Sequence, residues 1–166
     1  MFENASNLES IDLSNIQYIG WQSFYDTKLT GTLNLPSIIY LGNTGNQQGG
    51  SFKYCTHITS VVFGPNTTII GNEAFSGCSG IQTVTGLSAG NLSTLGSYAF
   101  HGCTALTSVD IDYSNITTIP IDAFRGCTNL TNIGTNFSSV RVISGGAFNG
   151  CTSLTSIDLS NVTNIY

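Results

Sequence analysis

The stretch AFHGCTALTSVDI, residues 99–111, decides the fold because nearly the same sequence occurs three more times in the chain. The other three copies read AFSGCSGIQTV at residues 74–84, AFRGCTNLTNI at residues 123–133 and AFNGCTSLTSI at residues 147–157. Self-similarity at a period of 20–50 residues is the sequence signature of a coil of stacked turns. The cysteine in each stretch is therefore a position of a repeat and not half of a C-x-x-C pair.

The repeat has three apolar anchors at nearly fixed distances from one another. A leucine or isoleucine, such as Leu106, follows each first anchor by about six residues, and an apolar pair such as Ile116 and Ile119 follows later. Thr67 is the one polar member of those pairs. Constant spacing within segments and variable loops between them are typical of a coil of fixed cross-section. The first anchors are Phe2, Phe24, Phe52, Phe75, Phe100, Phe124 and Phe148.

These spacings predict a β-rich solenoid of about seven turns in a single domain, residues 1–166. The segment LTSIDL, residues 154–159, alternates apolar and polar side chains and is typical of a short strand. Its equivalents lie one turn apart and run the same way, so we expect a parallel β-sheet along one face. The AF-x-GC segment is too short for a stable helix, and we expect a single helical or 3₁₀ turn there.

Composition excludes two classes of function. Only 8% of the residues are charged, the net charge is -5, and the four Lys and Arg residues form no stripe that could neutralise phosphates. We therefore expect no nucleic-acid partner. No apolar run approaches the ~20 residues that cross a bilayer, so we expect no membrane insertion. The start MFENASNLES lacks the basic and apolar regions of a signal peptide.

Two longer stretches, LGSYAFHGCTALTSVDI at residues 95–111 and ISGGAFNGCTSLTSIDL at residues 143–159, resemble the BspA-like leucine-rich-repeat family. The resemblance covers essentially the whole chain and is weakest at residues 24–52. It implies a right-handed leucine-rich-repeat solenoid of the kind found in surface proteins of oral and gut bacteria and of mucosal protozoa. It also implies adhesion as the activity and the cell surface or extracellular space as the location, but no particular ligand.

The five cysteines share one register of the repeat, in which Ala5 and Thr27 stand in the first two turns. All of these side chains are small, and we interpret the column as buried and structural. Disulfides between adjacent turns and metal binding are the alternatives; one cysteine per turn lacks paired-ligand spacing, and we expect no cofactor or metal. The column consists of Cys55, Cys78, Cys103, Cys127 and Cys151.

No residue set predicts catalysis. His57 and His101 occupy different points of the coil two turns apart, and no nucleophile has an oriented base, so we expect a protein that is not an enzyme. Asp110 and Asp112 lie on one side of a predicted strand, which indicates a solvated acidic spot or, alternatively, a calcium contact. Asparagines in N-x-S/T sequences are explained by turn formation, with glycosylation as the alternative; they include Asn91, Asn115 and Asn161.

Two surfaces depart from the repeat and are candidate partner sites. The outward strand positions form a mildly acidic face of small polar groups that includes Ser108, Asp110, Asp112, Ser156 and Asp158. An aromatic strip is formed by Tyr18 and Tyr40, which share one register, together with the nearby Trp21. We interpret the strip either as a contact surface or as side chains partly buried under the insertion at residues 42–50.

We therefore predict a non-catalytic, surface-displayed adhesion module that recognises a protein or glycan on a host or neighbouring cell. The alternative is a structural spacer or decoration element in a larger surface or phage-fibre assembly, where the partner is another subunit. The chain begins in mid-repeat and stops where the next AF-x-GC turn is due. We expect either that it is a piece of a longer chain or that its ends dock onto another subunit.

Overall fold

The seven anchor phenylalanines form one column of stacked rings that runs the length of the molecule. The computed structural model describes residues 1–45 and 49–166. Successive ring centroids lie 5.0–5.6 Å apart and successive ring planes differ by at most 9°. The predicted solenoid is confirmed, but seven rings delimit six complete turns, one fewer than the sequence count.

Around this column the other two anchors complete a continuous core. Ile81, Leu106 and Leu130 have no exposed surface, and neither do the equivalent third anchors Ile38 and Val140. The polar third anchor Thr67 is buried as well, because its hydroxyl donates to the carbonyl oxygens of Ile38 and Gly64, both at 3.0 Å. A buried hydroxyl is tolerated when it is hydrogen-bonded, so the one break in the apolar pattern leaves the coil intact.

Two ladders of parallel strands run along the solenoid, whereas the sequence predicted one. One of them, the broad ladder, follows the second anchor, as expected. It contains β2 (Gly31–Leu35), β4 (Ile58–Phe63), β6 (Thr83–Thr85) and β8 (Ser108–Val109), paired in that order. The other, the narrow ladder, follows the third anchor and was not expected. The narrow ladder contains β1 (Tyr18–Ile19), β3 (Tyr40–Leu41), β5 (Ile69–Ile70), β7 (Thr94–Leu95), β9 (Thr118–Ile119), β10 (Val142–Ile143) and β11 (Asn164–Ile165).

The narrow ladder is interrupted between β7 and β9. In the other turns the residue after the strand donates its N–H to the previous turn, as Gly96 does to the carbonyl oxygen of Ile70 at 2.7 Å. Pro120 occupies that position after β9 and has no N–H to donate. The proline therefore removes one hydrogen bond between turns at the point where the sheet divides in two.

One local prediction is wrong: residues 154–159 contain no strand, and the broad ladder ends at a bridge between Ser108 and Asn132. The AF-x-GC segments form short hydrogen-bonded turns and no stable helix, as expected: the N–H of Cys103, for example, donates to the carbonyl oxygen of Phe100 at 3.1 Å. The 3₁₀ helices instead follow the broad ladder, as η1 (Tyr113–Asn115) and η2 (Phe137–Ser139).

Most of the AF-x-GC corners place left-handed residues two positions before and two positions after the phenylalanine; Gly50, two positions before Phe52, is an exception. The later position holds Gly102 with a φ of 71° and Tyr54 with a φ of 64°; the earlier one holds Tyr98 with a φ of 59°. Glycine adopts this conformation at little cost, whereas a tyrosine there is uncommon. The bend predicted beside the phenylalanine is thus a backbone requirement that the chain meets with glycine in four turns and with other residues elsewhere.

Candidate functional site

The outward residues of the broad ladder form a column of small polar side chains. Ser108 stands beside Thr83 of β6 on one side and Asn132 on the other, in the register that the repeat predicts. Thr32 and Ser60 continue the column, with their hydroxyl oxygens 2.8 Å apart. The inward neighbour Val109 is buried. Period-two alternation therefore gives this face its chemistry: hydroxyl and amide groups on a rigid apolar support.

Asp110 binds the backbone of the neighbouring turn with both of its carboxylate oxygens. They accept hydrogen bonds from the N–H groups of Gly86, at 2.9 Å, and Leu87, at 3.0 Å, in the turn before. Gly86 has a φ of 92°, and a Cβ there would lie 2.1 Å from the carbonyl oxygen of Phe63. The carboxylate thus holds a tight loop of the neighbouring turn in place. Its role is visible only when the partner turn, more than twenty residues away, is known.

Asp112 caps a 3₁₀ helix and joins two turns. Its Oδ1 accepts from the N–H of Ser114 at 2.8 Å, and its Oδ2 accepts from the side chain of Asn136 at 2.8 Å. Burial acts to raise the pKa of Asp112, but the hydrogen bonds from Ser114 and Asn136 outweigh it and lower the pKa. Asp110 and Asp112 are therefore held by different partners and are not a joint acidic site.

Asp158 and Ser156 lie on the last turn and are exposed. The Oδ1 of Asp158 accepts from the N–H of Ser160 at 2.9 Å, and this hydrogen bond lowers the pKa of Asp158. Asp12 makes the same bond to Ser14 at 2.9 Å. Asp12, Asp112 and Asp158 each stand two residues before a serine, in the pattern D-x-S. This pattern indicates a turn in which the carboxylate accepts from the backbone, and it was not recognised from the sequence.

The aromatic strip is exposed at its outer end. Tyr18 is paired with Tyr40 in the narrow ladder and is 66% exposed, while Trp21 is 38% exposed. Tyr40 is half-buried. Residues 46–48 of the insertion proposed to cover the strip lie outside the described residues; Gly49 lies against the side chain of Gln22. Tyr18 is therefore available for contact, and Tyr40 forms its support.

The cysteine column is free of disulfides among the described residues and is buried except at Cys151, which is half-buried. Each thiol donates to the phenylalanine carbonyl of the turn before; the Sγ–O distance is 2.9 Å from Cys78 to Phe52 and 3.2 Å from Cys103 to Phe75. Burial raises the pKa of these thiols. The column is thus placed for structure and not for nucleophilic chemistry.

Among residues 1–45 and 49–166, no three His, Cys, Asp or Glu side chains are grouped so that they could hold a metal ion. In the same residues no helix has the length and apolar character to cross a bilayer.

A sequence model of the BspA type leucine rich repeat region matches residues 1–45 and 46–166, in six copies. The chain belongs to the BspA-type leucine-rich repeat family. Six copies agree with the six complete turns between the stacked phenylalanines. None of the curated proteins compared with this BspA-type chain matches it.

Solved structures of similar fold include three bacterial proteins. A leucine rich cell surface protein from Faecalibacterium prausnitzii A2-165 is 29% identical with a TM-score of 0.63, over 90% of this chain and 34% of that one. A leucine-rich repeat protein from Eubacterium ventriosum is 19% identical with a TM-score of 0.62, over 92% of this chain and 45% of that one. A Leucine Rich Repeat protein of T. pallidum is 21% identical with a TM-score of 0.54, over 89% and 76%. The BspA-type chain thus spans less than half the length of the first two.

Proposed function

We propose that this BspA-type solenoid is a non-catalytic binding module, displayed at a cell surface, that adheres to a protein or glycan on a host or neighbouring cell. Its mechanism is the presentation of side chains from a rigid array, so that little conformational entropy is lost when the partner binds. The similarity to a protein described as a cell surface protein supports the location.

The observation that carries the proposal is the exposure of the aromatic strip on ordered strands. Tyr18 is 66% exposed although its backbone is hydrogen-bonded into the narrow ladder, and Trp21 lies three residues further on. Tyrosine and tryptophan are enriched among the residues that contribute most to binding, because they bring large contact areas with few rotatable bonds. Among the described residues, only the terminal Met1 and Tyr166 have a large apolar or aromatic side chain more exposed than Tyr18, so the strip offers a partner a large area to bury.

The test is binding of purified protein to immobilised fibronectin, laminin, collagen and mucin by surface plasmon resonance. We expect at least one of them to bind, and the double variant Tyr18→Ser/Trp21→Ser to weaken that binding about tenfold or more. Tyr166→Ser is the control because Tyr166 is also an exposed aromatic residue, at 76%, but lies at the other end of the molecule. Failure of all four surfaces, or equal loss in the control, would contradict the proposal and favour a spacer in a larger assembly.

A further inference from the structure

A polar groove separates the last two turns on the side of the broad ladder. One wall is formed by residues 131–138, which include Asn132, Asn136 and η2, and the other by Ser156, Asp158 and their neighbours. The groove has a volume of about 470 Å³. This volume lies within the range of small-molecule sites in proteins, about 300–1,000 Å³.

A difference in loop length opens the groove. Ten residues separate the second anchor Leu130 from the third anchor Val140, whereas eight separate Leu154 from Val162. The extra residues form η2, whose Phe137 ring is stacked on Tyr113 of η1 at 4.4 Å. The longer turn therefore projects further from the solenoid than the shorter one. Within the described chain, no strand pairing or isolated bridge joins residues 155–159 to the turn before.

The groups that line the groove keep free donors and acceptors. Asn132 uses its Oδ1 to accept from the N–H of Gly134 at 2.9 Å, and its Nδ2 has no partner among the described residues. Asp158 uses Oδ1 for the N–H of Ser160, and its Oδ2 has no partner among them either. Hydroxyls of Thr135, Ser138 and Ser156 add groups that both donate and accept.

These lining residues select for a neutral polyhydroxylated ligand. They include no Lys, Arg or His, and the carboxylate of Asp158 disfavours anions. A free amide donor and a free carboxylate acceptor match a molecule whose every hydroxyl is at once donor and acceptor. Ile157, which is half-buried, and the small exposed part of Phe137 supply apolar contact for the C–H groups of such a molecule. A bound peptide usually anchors aromatic or aliphatic side chains in apolar pockets, and this groove is lined mainly by polar groups.

We propose that this groove is a binding site for a neutral saccharide. The inference rests on the proposed binding function and names a ligand class and a site for it, separate from the aromatic strip.

The experiment is a ¹⁵N-HSQC titration of the whole chain with lactose, maltose and chitobiose, and with sialyllactose as the charged counterpart. We expect a neutral saccharide to shift the amide signals of Gly134, Asn136 and Asp158, and sialyllactose to bind more weakly. Asp158→Ala should weaken binding about tenfold, since it removes a charged acceptor. Ser156→Trp should abolish binding by filling the groove.

Asp12→Ala is the matched control because Asp12 makes the same turn hydrogen bond to Ser14 in the first turn, away from the groove. Its saccharide affinity should equal that of the unmodified chain. The proposal is overturned if none of the neutral saccharides shifts the groove signals, or if Asp12→Ala and Asp158→Ala lose affinity equally. Binding to mucin or matrix proteins that survives such a result would leave the proposed function standing, so the two failures are distinguishable.

Discussion

The cysteine side chains combine two properties that the repeat position demands. They are small enough for the bend beside the phenylalanine ring, and each thiol reaches a carbonyl oxygen of the turn before, as Cys127 reaches Phe100 at 3.1 Å. Thr27 fills the same position without that bond, since its hydroxyl donates to the carbonyl oxygen of Phe24 in its own turn, at 3.1 Å, and contacts the Sγ of Cys55 at 3.2 Å. The small size was evident from the sequence, but the hydrogen bond was not, because its acceptor lies 26–31 residues earlier.

Thiol reactivity should follow the burial of the column. Burial raises the pKa of Cys78 and Cys103, which keeps both thiols protonated at neutral pH, and the thiolate is the reactive form. We expect Cys151, which is half-buried, to be alkylated first in the folded protein, and all five cysteines to react after unfolding. Mass spectrometry of the labelled peptides checks the order. A disulfide between these cysteines, or a Cys103 that reacts as fast as Cys151, would contradict the burial of the free thiols in this column.

The same thiols make stability depend on pH. In the unfolded chain they titrate near 9.0, whereas burial raises the pKa of Cys103 in the folded state. Above about pH 9 the unfolded chain therefore binds fewer protons than the folded one, and the free energy of unfolding falls as pH rises. Urea unfolding between neutral pH and about pH 10 should show this decline. Cys103→Ala should start less stable but decline less steeply; an equal slope would rule out a contribution from that thiol.

Tyr113 carries a buried polar group without a partner. Its side chain is fully buried against Phe137, and its hydroxyl has no hydrogen-bond partner among the described residues. Removing an unsatisfied hydroxyl without changing the shape of the side chain recovers the cost of its desolvation. We expect Tyr113→Phe to stabilise the protein by about 1 kcal/mol. Tyr113→Ala should cost about 3–5 kcal/mol through the cavity it leaves. A destabilised Tyr113→Phe would reveal a hidden partner for the hydroxyl.

At the scale of the turn, two glycines separate conformational from steric requirements. Gly102 has a φ of 71°, and a Cβ there would meet nothing closer than Gly77 Cα at 3.8 Å. Gly102→Ala should therefore cost only the left-handed penalty, about 1–2 kcal/mol. Gly102→Asn should cost less, because asparagine tolerates this conformation.

Gly86→Ala should cost clearly more than Gly102→Ala. Its Cβ would lie 2.1 Å from the carbonyl oxygen of Phe63, so backbone must move as well. Chemical denaturation of the two alanine variants compares them directly. Equal free energies of unfolding would mean that the contact with Phe63 relaxes at no cost.

The repeat spacing was sufficient to predict the core and the parallel stacking, because each anchor depends only on its own turn. It did not predict features that depend on the fit between turns. The narrow ladder is one example. Its strands, such as β1 with Tyr18 and Ile19, contain only two residues, which is too few to show an alternation of apolar and polar side chains. The role of Asp110 is another, because the groups it binds belong to a different turn. The groove follows from a two-residue difference in loop length whose consequence is evident only when the turns are stacked.

For the whole molecule, both end turns expose apolar surface. Phe2 is 45% exposed at one end and Ile165 is 64% exposed at the other, where β11 also presents an unpaired edge. Such surfaces favour association between copies of the isolated chain 1–166. Sedimentation velocity should show a mass that rises with concentration. An appended capping turn with a polar outer face should return the chain to a monomer. A monomer at all concentrations without the cap would contradict this expectation.

The hydrogen bond missing at Pro120 also has a mechanical consequence. Tension applied to the two ends of the chain peels the coil one turn at a time, and each turn of about 24 residues releases roughly 80 Å of extended chain. The junction between β7 and β9 resists this peeling with fewer backbone hydrogen bonds than its neighbours. Pro120 has no N–H to donate, and Thr117 and Thr118 do not make the bonds to the turn before that Arg141 and Val142 make at the equivalent positions. In optical tweezers we expect evenly spaced extension steps, with the weakest step at that junction. Pro120→Ser, which copies Ser144 at the equivalent position, should raise the force of that step and leave the others unchanged.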